Sequence, residues 1–251
     1  KLEQEVVRHC TTAVFTTEPT RQMYAERYPD YHDSHRAVIE NGFDEENFQN
    51  AETELEPLPL GSPGQITLVH SGVLYPKERD PRPFFAALGA LKRSGQISSG
   101  DLQIILRATG SDDLYRPMIN ELGIEDIVQL APMVTYREAL QEMLRADGLL
   151  LFQGSVCNHQ IPAKIYEYYR AGRPILALVD PLGISANMLR DVGVPDIVDI
   201  ASAESIAKAL VSLVDALKKG DRRGVSQEAA AQNSRKARSA ELAKLLNQLT
   251  S

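Results

Sequence analysis

From residue 66 onward the chain repeats one pattern, a short run of continuous apolar residues followed by a segment with helical periodicity. The apolar runs lie at 66–71, 102–107, 127–130, 148–152 and 174–179, with a sixth at 196–200. Helical periodicity fills 83–93, 113–122, 136–145, 162–171, 185–191 and 203–218. Strands that are apolar at every position are covered on both faces, and such strands alternating with helices make parallel βαβ units. The pattern predicts an open, doubly wound, Rossmann-like parallel sheet of the α/β class. Ligands of such sheets sit beyond the carboxyl ends of the strands.

The chain before that series has a different grain. Residues 1–10 are helical in pattern, 12–16 form a short apolar strand, and Pro19 suits the first turn of a helix running to about residue 28. A second short strand at 36–39 is stopped by Glu40-Asn41-Gly42, a turn signal. Residues 49–64, with Pro57, Pro59 and Pro63 among acids and amides, have the composition of a linker. The predicted organisation is therefore a partial α/β unit over 1–48, a linker over 49–64, a main unit over 65–224, and a closing Ala-rich helix over 225–251. The partial unit is expected to expose apolar side chains such as Val14 and Phe15 and so to favour self-association. The first residues, Lys1 to Arg8, read as the middle of a helix without a starting Met, so the chain is expected to be a piece of a longer protein that lacks its N-terminal domain.

Composition removes several functional classes. A net charge of -7 argues against nucleic acid, which needs a basic face. Cys10 and Cys157 stand alone, with neither a disulfide framework nor zinc-ligand spacing, and no metal site is expected. No apolar run approaches the ~18 residues of a membrane span. No Gly-x-Gly-x-x-Gly follows a strand and no Gly-x4-Gly-Lys-Ser/Thr loop is present, so neither the dinucleotide nor the P-loop fingerprint applies.

The most informative segment is His159-Gln160-Ile161-Pro162-Ala163-Lys164, continuing through Glu167 to Gly172. Pro162 fits a first helical turn and Gly172 the position after the last, so a helix is expected to begin where a strand delivers the chain to the ligand side of the sheet. Its free N–H groups and dipole favour an anion. Lys164 and Glu167, three apart, share a face; the lysine suits a phosphate and the carboxylate suits ribose hydroxyls. The same spacing is met by an ion pair between them on a solvated surface. A second candidate follows the strand at 66–71, where Gly72 permits close backbone approach and Lys77 and Arg79 could clamp a diphosphate. Arg107 to Asp113 repeats strand, glycine and helix, with Thr109 or Ser111 as a cap. Of the histidines near these loops, His159 adjoins the anion turn, whereas His70 at a strand end reads as structural. Cys157 has no base beside it and reads as an inert thiol.

The block Pro162-Ala-Lys-Ile-Tyr-Glu-Tyr-Tyr-Arg-Ala-Gly-Arg-Pro-Ile resembles the P-x-K-x-x-E-Y-x-x-x-G-x-P-[IV] segment of the GT-B glycosyltransferases, in particular the large retaining group 1, or family 4. Further landmarks follow in the family's order. Ile39-Glu-Asn-Gly-Phe-Asp44 with Phe48 resembles the I-P-N-G-V-D…F junction, and His70-Ser-Gly72 resembles the glycine turn. Leu130-Ala-Pro-Met133-Val134 resembles the F-x-G-x-V segment that borders the base, and Ala146-Asp147 resembles the A-D pair before the next strand. Two positions depart from the family: His159 stands where its first paired glutamate falls, and Val73 where an arginine follows the turn glycine.

The resemblance implies transfer of a sugar from a nucleotide-diphosphate donor to a glycan or glycolipid, as in cell-envelope polysaccharide synthesis. The donor would contact Gly72, Lys77, Arg79, Met133, His159, Gln160, Ile161, Pro162, Lys164 and Glu167. No cofactor or metal is implied, because fixed cations and a helix N-terminus suffice for a diphosphate leaving group. Acceptor-side groups would belong mainly to a preceding domain, leaving this chain inactive alone. A cytoplasmic setting follows, with peripheral attachment at the inner face of a membrane left open. The rival readings are a non-catalytic nucleotide-sugar scaffold and a nucleotide-sugar 2-epimerase.

Overall fold

The computed structural model describes residues 2–31, 35–55, 59–222 and 224–250. In chain order the elements are α1 (Leu2–His9), β1 (Ala13–Phe15), α2 (Glu18–Arg27), β2 (Arg36–Val38), α3 (Glu45–Thr53), β3 (Ile66–Ser71), α4 (Arg82–Arg93) and β4 (Leu102–Arg107). There follow α5 (Asp112–Glu121), β5 (Val128–Ala131), α6 (Tyr136–Arg145), β6 (Gly148–Gln153), α7 (Lys164–Ala171) and β7 (Ile175–Val179). The last are α8 (Ile184–Asp191), β8 (Ile197–Asp199), α9 (Ala203–Lys218), α10 (Gln227–Ala231) and α11 (Arg235–Thr250).

β3 to β8 form one six-stranded sheet in the order β5-β4-β3-β6-β7-β8, parallel throughout. The expected doubly wound α/β sheet is therefore present. Because side chains alternate across a strand, neighbouring apolar residues enter opposite layers. Leu68, Ile104, Leu150 and Phe152 join Phe84, Phe85, Leu88, Leu210 and Leu213 of α4 and α9. Val69, Ile105, Leu149 and Leu151 join Leu140, Ile165, Tyr168 and Leu189 of α6, α7 and α8. The continuous apolar runs are thus the mark of helices on both faces.

The order of the strands reverses beside β3. From β3 the chain winds outward through β4 to β5, then returns to β6 and winds the other way. The loops leaving β3 and β6 diverge, which opens a crevice at the carboxyl ends of these two strands.

The first segment folds as a two-stranded parallel sheet, β1 beside β2, joined through α2. Val14 is exposed as expected, but Phe15 is buried, packed on the ring of Tyr24 at 4.9 Å. A strand of three residues still has two faces, and α2 covers the one that carries Phe15. The composition of 49–64 also misled in part. Residues 49–53 complete α3, whose Phe48 and Ala51 are fully buried against the α6–α7 layer. Residues 56–58, including Pro57 of the expected linker, lie outside the described residues, as do Lys1 and Ser251.

The closing stretch is two helices rather than one. Between them, Ser234 bridges to Phe43: the Phe43 N–H donates to Asn233 O at 3.1 Å and the Arg235 N–H to Phe43 O at 2.8 Å. Arg238 continues the seam to Glu40 at 3.1 Å. The seam leaves no room for a side chain at Gly42, where a Cβ would stand 2.7 Å from Asn233 O and 2.8 Å from the Arg235 nitrogen. Both contacts are with backbone and cannot yield cheaply. Gly42→Ala is therefore expected to cost roughly 1–3 kcal/mol, the range for overpacking. Amide exchange should quicken in α10 and α11 while the six-stranded sheet stays protected; unchanged exchange in α11 would contradict this account of the seam.

Candidate functional site

The crevice at the strand reversal is built by two loops. After β3 the chain turns at Gly72, whose φ of +120° a residue with a side chain rarely adopts. Its N–H is held by Arg107 O at 2.8 Å, so β4 continues to fix the turn past the end of the ladder. After β6 the chain makes a 3₁₀ turn over Ser155–Cys157 and dips into the α6–α7 layer at Ile161. Gln153, buried at the end of β6, pins this loop from inside, its Nε2 donating to Cys157 O at 3.0 Å and Gln160 O at 2.7 Å.

α7 starts at Lys164, two residues later than the sequence predicts. Pro162 and Ala163 instead form a tight turn whose carbonyls accept from the Ile165 and Tyr166 N–H groups at 3.0 and 3.2 Å. Pro162 has no N–H, so the N–H groups preceding these bonds are those of Ala163 and Lys164. The helix ends where expected, at Gly172 in the left-handed conformation.

Lys164 does not pair with Glu167. Its Nζ lies across the crevice floor, 2.7 Å from Ser71 O and 3.2 Å from His70 Nε2, and a Cβ at Gly72 would come within 3.0 Å of it. Burial, and then the nearby Arg79 guanidinium, push its pKa down to about 7. Arg79 itself donates to Val73 O at 3.0 Å and lies over the Tyr75 ring at 5.5 Å. A guanidinium has five N–H donors, so this anchor leaves most of them unspent. Lys77 is exposed on the same loop. Lys164 and Arg79 are thus close enough for the guanidinium to lower the lysine's pKa, while Glu167 pulls it more weakly the other way.

Glu167 lies one helical turn beyond Lys164 and is half-buried. It accepts from the Tyr136 hydroxyl at 2.8 Å. Burial raises its pKa from the ordinary glutamate value, against the opposing pull of this hydrogen bond and of Lys164. Tyr136 opens α6 behind a capping box formed by Thr135 and Glu138. Nothing in the sequence links positions 136 and 167; the capping box fixes only where α6 starts.

The remaining predicted residues divide between the crevice and the core. Gly72, Val73, Ala108, Gly110 and Met133 line one open cavity of about 700 Å³, with Met133 strongly exposed at its rim. Ala108 holds a φ of +55° at the end of β4, a costly conformation for a side-chain-bearing residue. Gln160 is exposed and His159 half-buried, their side chains 3.1 Å apart. The His159 carbonyl accepts from Thr17 Oγ1 at 2.6 Å and Thr20 Oγ1 at 2.9 Å, which ties the start of α2 to the crevice loop. Ile161 is buried in the α6–α7 layer, so only its main chain faces the loop. A separate cavity of about 580 Å³ lies at the other end of α7, lined by Phe43, Glu45, Arg170 and Val225; there Arg170 is already paired with Glu45 and Glu52.

No family model matches this sequence, and no curated protein matches it. Solved structures do match in fold. A glycosyltransferase from Rickettsia africae ESF-5 aligns at 15% identity with a TM-score of 0.68, covering 96% of this chain and 64% of that one. A sucrose-phosphate synthase from Thermosynechococcus elongatus aligns at 14% identity and 0.67, covering 99% and 61%. An α,α-trehalose-phosphate synthase (UDP-forming) from Burkholderia xenovorans, in complex with glucose-6-phosphate, aligns at 12% identity and 0.69, covering 97% and 64%. The chain has the GT-B glycosyltransferase fold and spans somewhat under two thirds of the length of these structures.

The lowered pKa of Lys164 has a thermodynamic consequence. Between pH about 7 and its ordinary value of 10.5 the unfolded chain holds a proton that the folded chain has released, so folding stability rises with pH across that window. The stability of the wild type minus that of Lys164→Met should therefore increase from pH 7 towards 10.5, by at most about 1.4 kcal/mol per pH unit. Below pH 7 the difference should be flat. Urea unfolding at several pH values measures it, and a flat difference throughout would place the ammonium in water.

Proposed function

We propose that this chain supplies the donor-binding part of a glycosyltransferase that moves a sugar from a nucleotide-diphosphate donor to an acceptor. The observation that carries the proposal is the pair of cations at the strand reversal, Lys164 on the first turn of α7 and Arg79 after the Gly72 turn, with Glu167 one turn deeper. In this reading the diphosphate lies over Gly72, against the N–H groups of Ala163 and Lys164 and the two cations. The ribose reaches Glu167, and the base enters the cavity bordered by Val73, Gly110 and Met133. Lys77, His159 and Gln160 lie within the loops that enclose the phosphates and the sugar.

The chemistry follows from the leaving group. When the bond between sugar and phosphate breaks, negative charge grows on the departing diphosphate. Fixed positive charge in a crevice of low dielectric stabilises that charge more than it stabilises the intact donor. A phosphate between Lys164 and Arg79 also removes their mutual repulsion, so binding restores the full charge of Lys164. Retention of the anomeric configuration, the acceptor, and transfer itself depend on groups beyond these loops and belong to the proposal for the larger protein. Among the described residues no helix is long and apolar enough to cross a membrane.

Calorimetric titration with UDP, GDP and ADP, their sugars and the parent nucleosides tests the reading. At least one diphosphate should bind, and more weakly as salt is added. Lys164→Ala should weaken the diphosphate more than the nucleoside. Glu167→Gln should cost both about 1.5–3 kcal/mol, the scale of a hydrogen bond to a charged group. Because Lys164 must regain a proton to meet the phosphate, affinity should fall as pH rises from 7 to 9. Absence of binding across the panel, or equal losses of nucleoside and diphosphate in Lys164→Ala, would refute the site.

A further inference from the structure

His70 lies wholly inside the molecule near the end of β3, in a strand buried at every position but Ser71. Packing alone would be met by phenylalanine, since the imidazole ring stands edge-to-face against Phe152 at 5.1 Å. Burying an imidazole instead is costly unless both nitrogens find partners. Both do. Nδ1 is 2.9 Å from Leu150 O and Nε2 is 3.2 Å from Lys164 Nζ.

These two contacts fix the tautomer. A carbonyl only accepts, so Nδ1 carries the hydrogen and Nε2 presents its lone pair to the ammonium. Protonation of Nε2 would set two cations in contact inside the protein, and burial together with Lys164 holds the ring's pKa well below the usual histidine range. The charged and titratable groups around the pair are Arg79 from the loop after β3 and Glu167 and Tyr168 from α7. Tyr168 donates to the same Leu150 carbonyl at 3.1 Å, so this one β6 carbonyl accepts from both the phenol and the imidazole.

We propose that His70 is a positioning residue for Lys164: locked by Leu150, its Nε2 accepts one ammonium hydrogen while Ser71 O accepts another. With two of its three N–H groups spent on fixed acceptors, the ammonium cannot swing, and the third is directed by tetrahedral geometry. Gly72 keeps the adjoining space clear. This rests on the donor-site reading for what the third N–H meets, but the coupling of His70 to Lys164 is measurable without any ligand.

Three variants separate the roles of the ring. His70→Phe keeps the aromatic packing and removes both polar contacts. His70→Asn keeps a donor for Leu150 but is too short to reach Lys164, and His70→Gln returns an acceptor to about the position of Nε2. The Lys164 side chain, followed by NMR of isotope-labelled lysine in the ligand-free protein, should titrate about one pH unit lower in His70→Phe and His70→Asn. His70→Gln should recover most of that shift. Among UDP, GDP and ADP, the diphosphate that binds the wild type best should lose roughly tenfold in affinity in His70→Phe and His70→Asn, with the parent nucleoside unaffected. Should His70→Phe fail to fold, the comparison of His70→Asn with His70→Gln carries the test. An unshifted Lys164 midpoint with unchanged diphosphate affinity would overturn the proposal and leave His70 a core ring. A shifted midpoint in a protein whose wild type binds no diphosphate would support the coupling and reject the donor site instead.

Discussion

One ammonium closes the gap that the sheet topology opens. Winding outward from β3 in one direction and from β6 in the other forces the two departing loops apart. The main-chain ladder between β3 and β6 is short, ending at Val69 and Leu149. Beyond it the crevice walls are joined across the floor by Lys164, rooted in α7 on one side and bonded to Ser71 O on the other. A lysine is the residue for this task because its stem can lie along apolar surface while the head donates in three directions. The cost is a charge held away from water, and that cost appears as the downward pull on its pKa.

The architecture was legible because burial on two faces writes itself into composition. Strands covered on both sides must be apolar at consecutive positions, and β6 and β7 are buried along their whole length. α6 and α9 occupy the predicted residues because both start at a hydroxyl cap, Thr135 and Ser202. Errors arose where a local signal met a long-range contact. Residues 49–53 look like linker by composition, yet the docking of Phe48 and Ala51 extends α3 through them. The closing stretch looks like one helix, and the pairing of Ser234 with Phe43, nearly two hundred residues away, breaks it.

The site was legible in its parts but not in its wiring. Gly72, Lys164 and Glu167 stand out by type and by position at predicted strand ends. Their partners do not. Tyr136 and Glu167 meet only because α6 and α7 pack side by side on one face of the sheet. His70 looked like a structural residue because an isolated histidine carries no spacing signal, and its significance lies in one acceptor from β6 and one donor from α7. A sequence marks which residues can act; it is silent on pairs joined only by the tertiary fold.

The same wiring connects the crevice to the first segment of the chain. Thr17 caps α2 by accepting from the Thr20 N–H, and its hydroxyl hydrogen has two acceptors close by, Thr20 Oγ1 at 2.8 Å and His159 O at 2.6 Å. Thr20 reaches the same carbonyl at 2.9 Å. Two hydroxyls on one short helix therefore converge on a single main-chain atom of the loop that leads into α7. Gln153 holds that loop from the sheet side through the carbonyls of Cys157 and Gln160. A displacement of α2 relative to the sheet must then either break a pair of partly buried hydrogen bonds or carry the His159 carbonyl with it. The loop between β6 and α7 is in this way a mechanical joint, set between the first segment and the cations of the crevice.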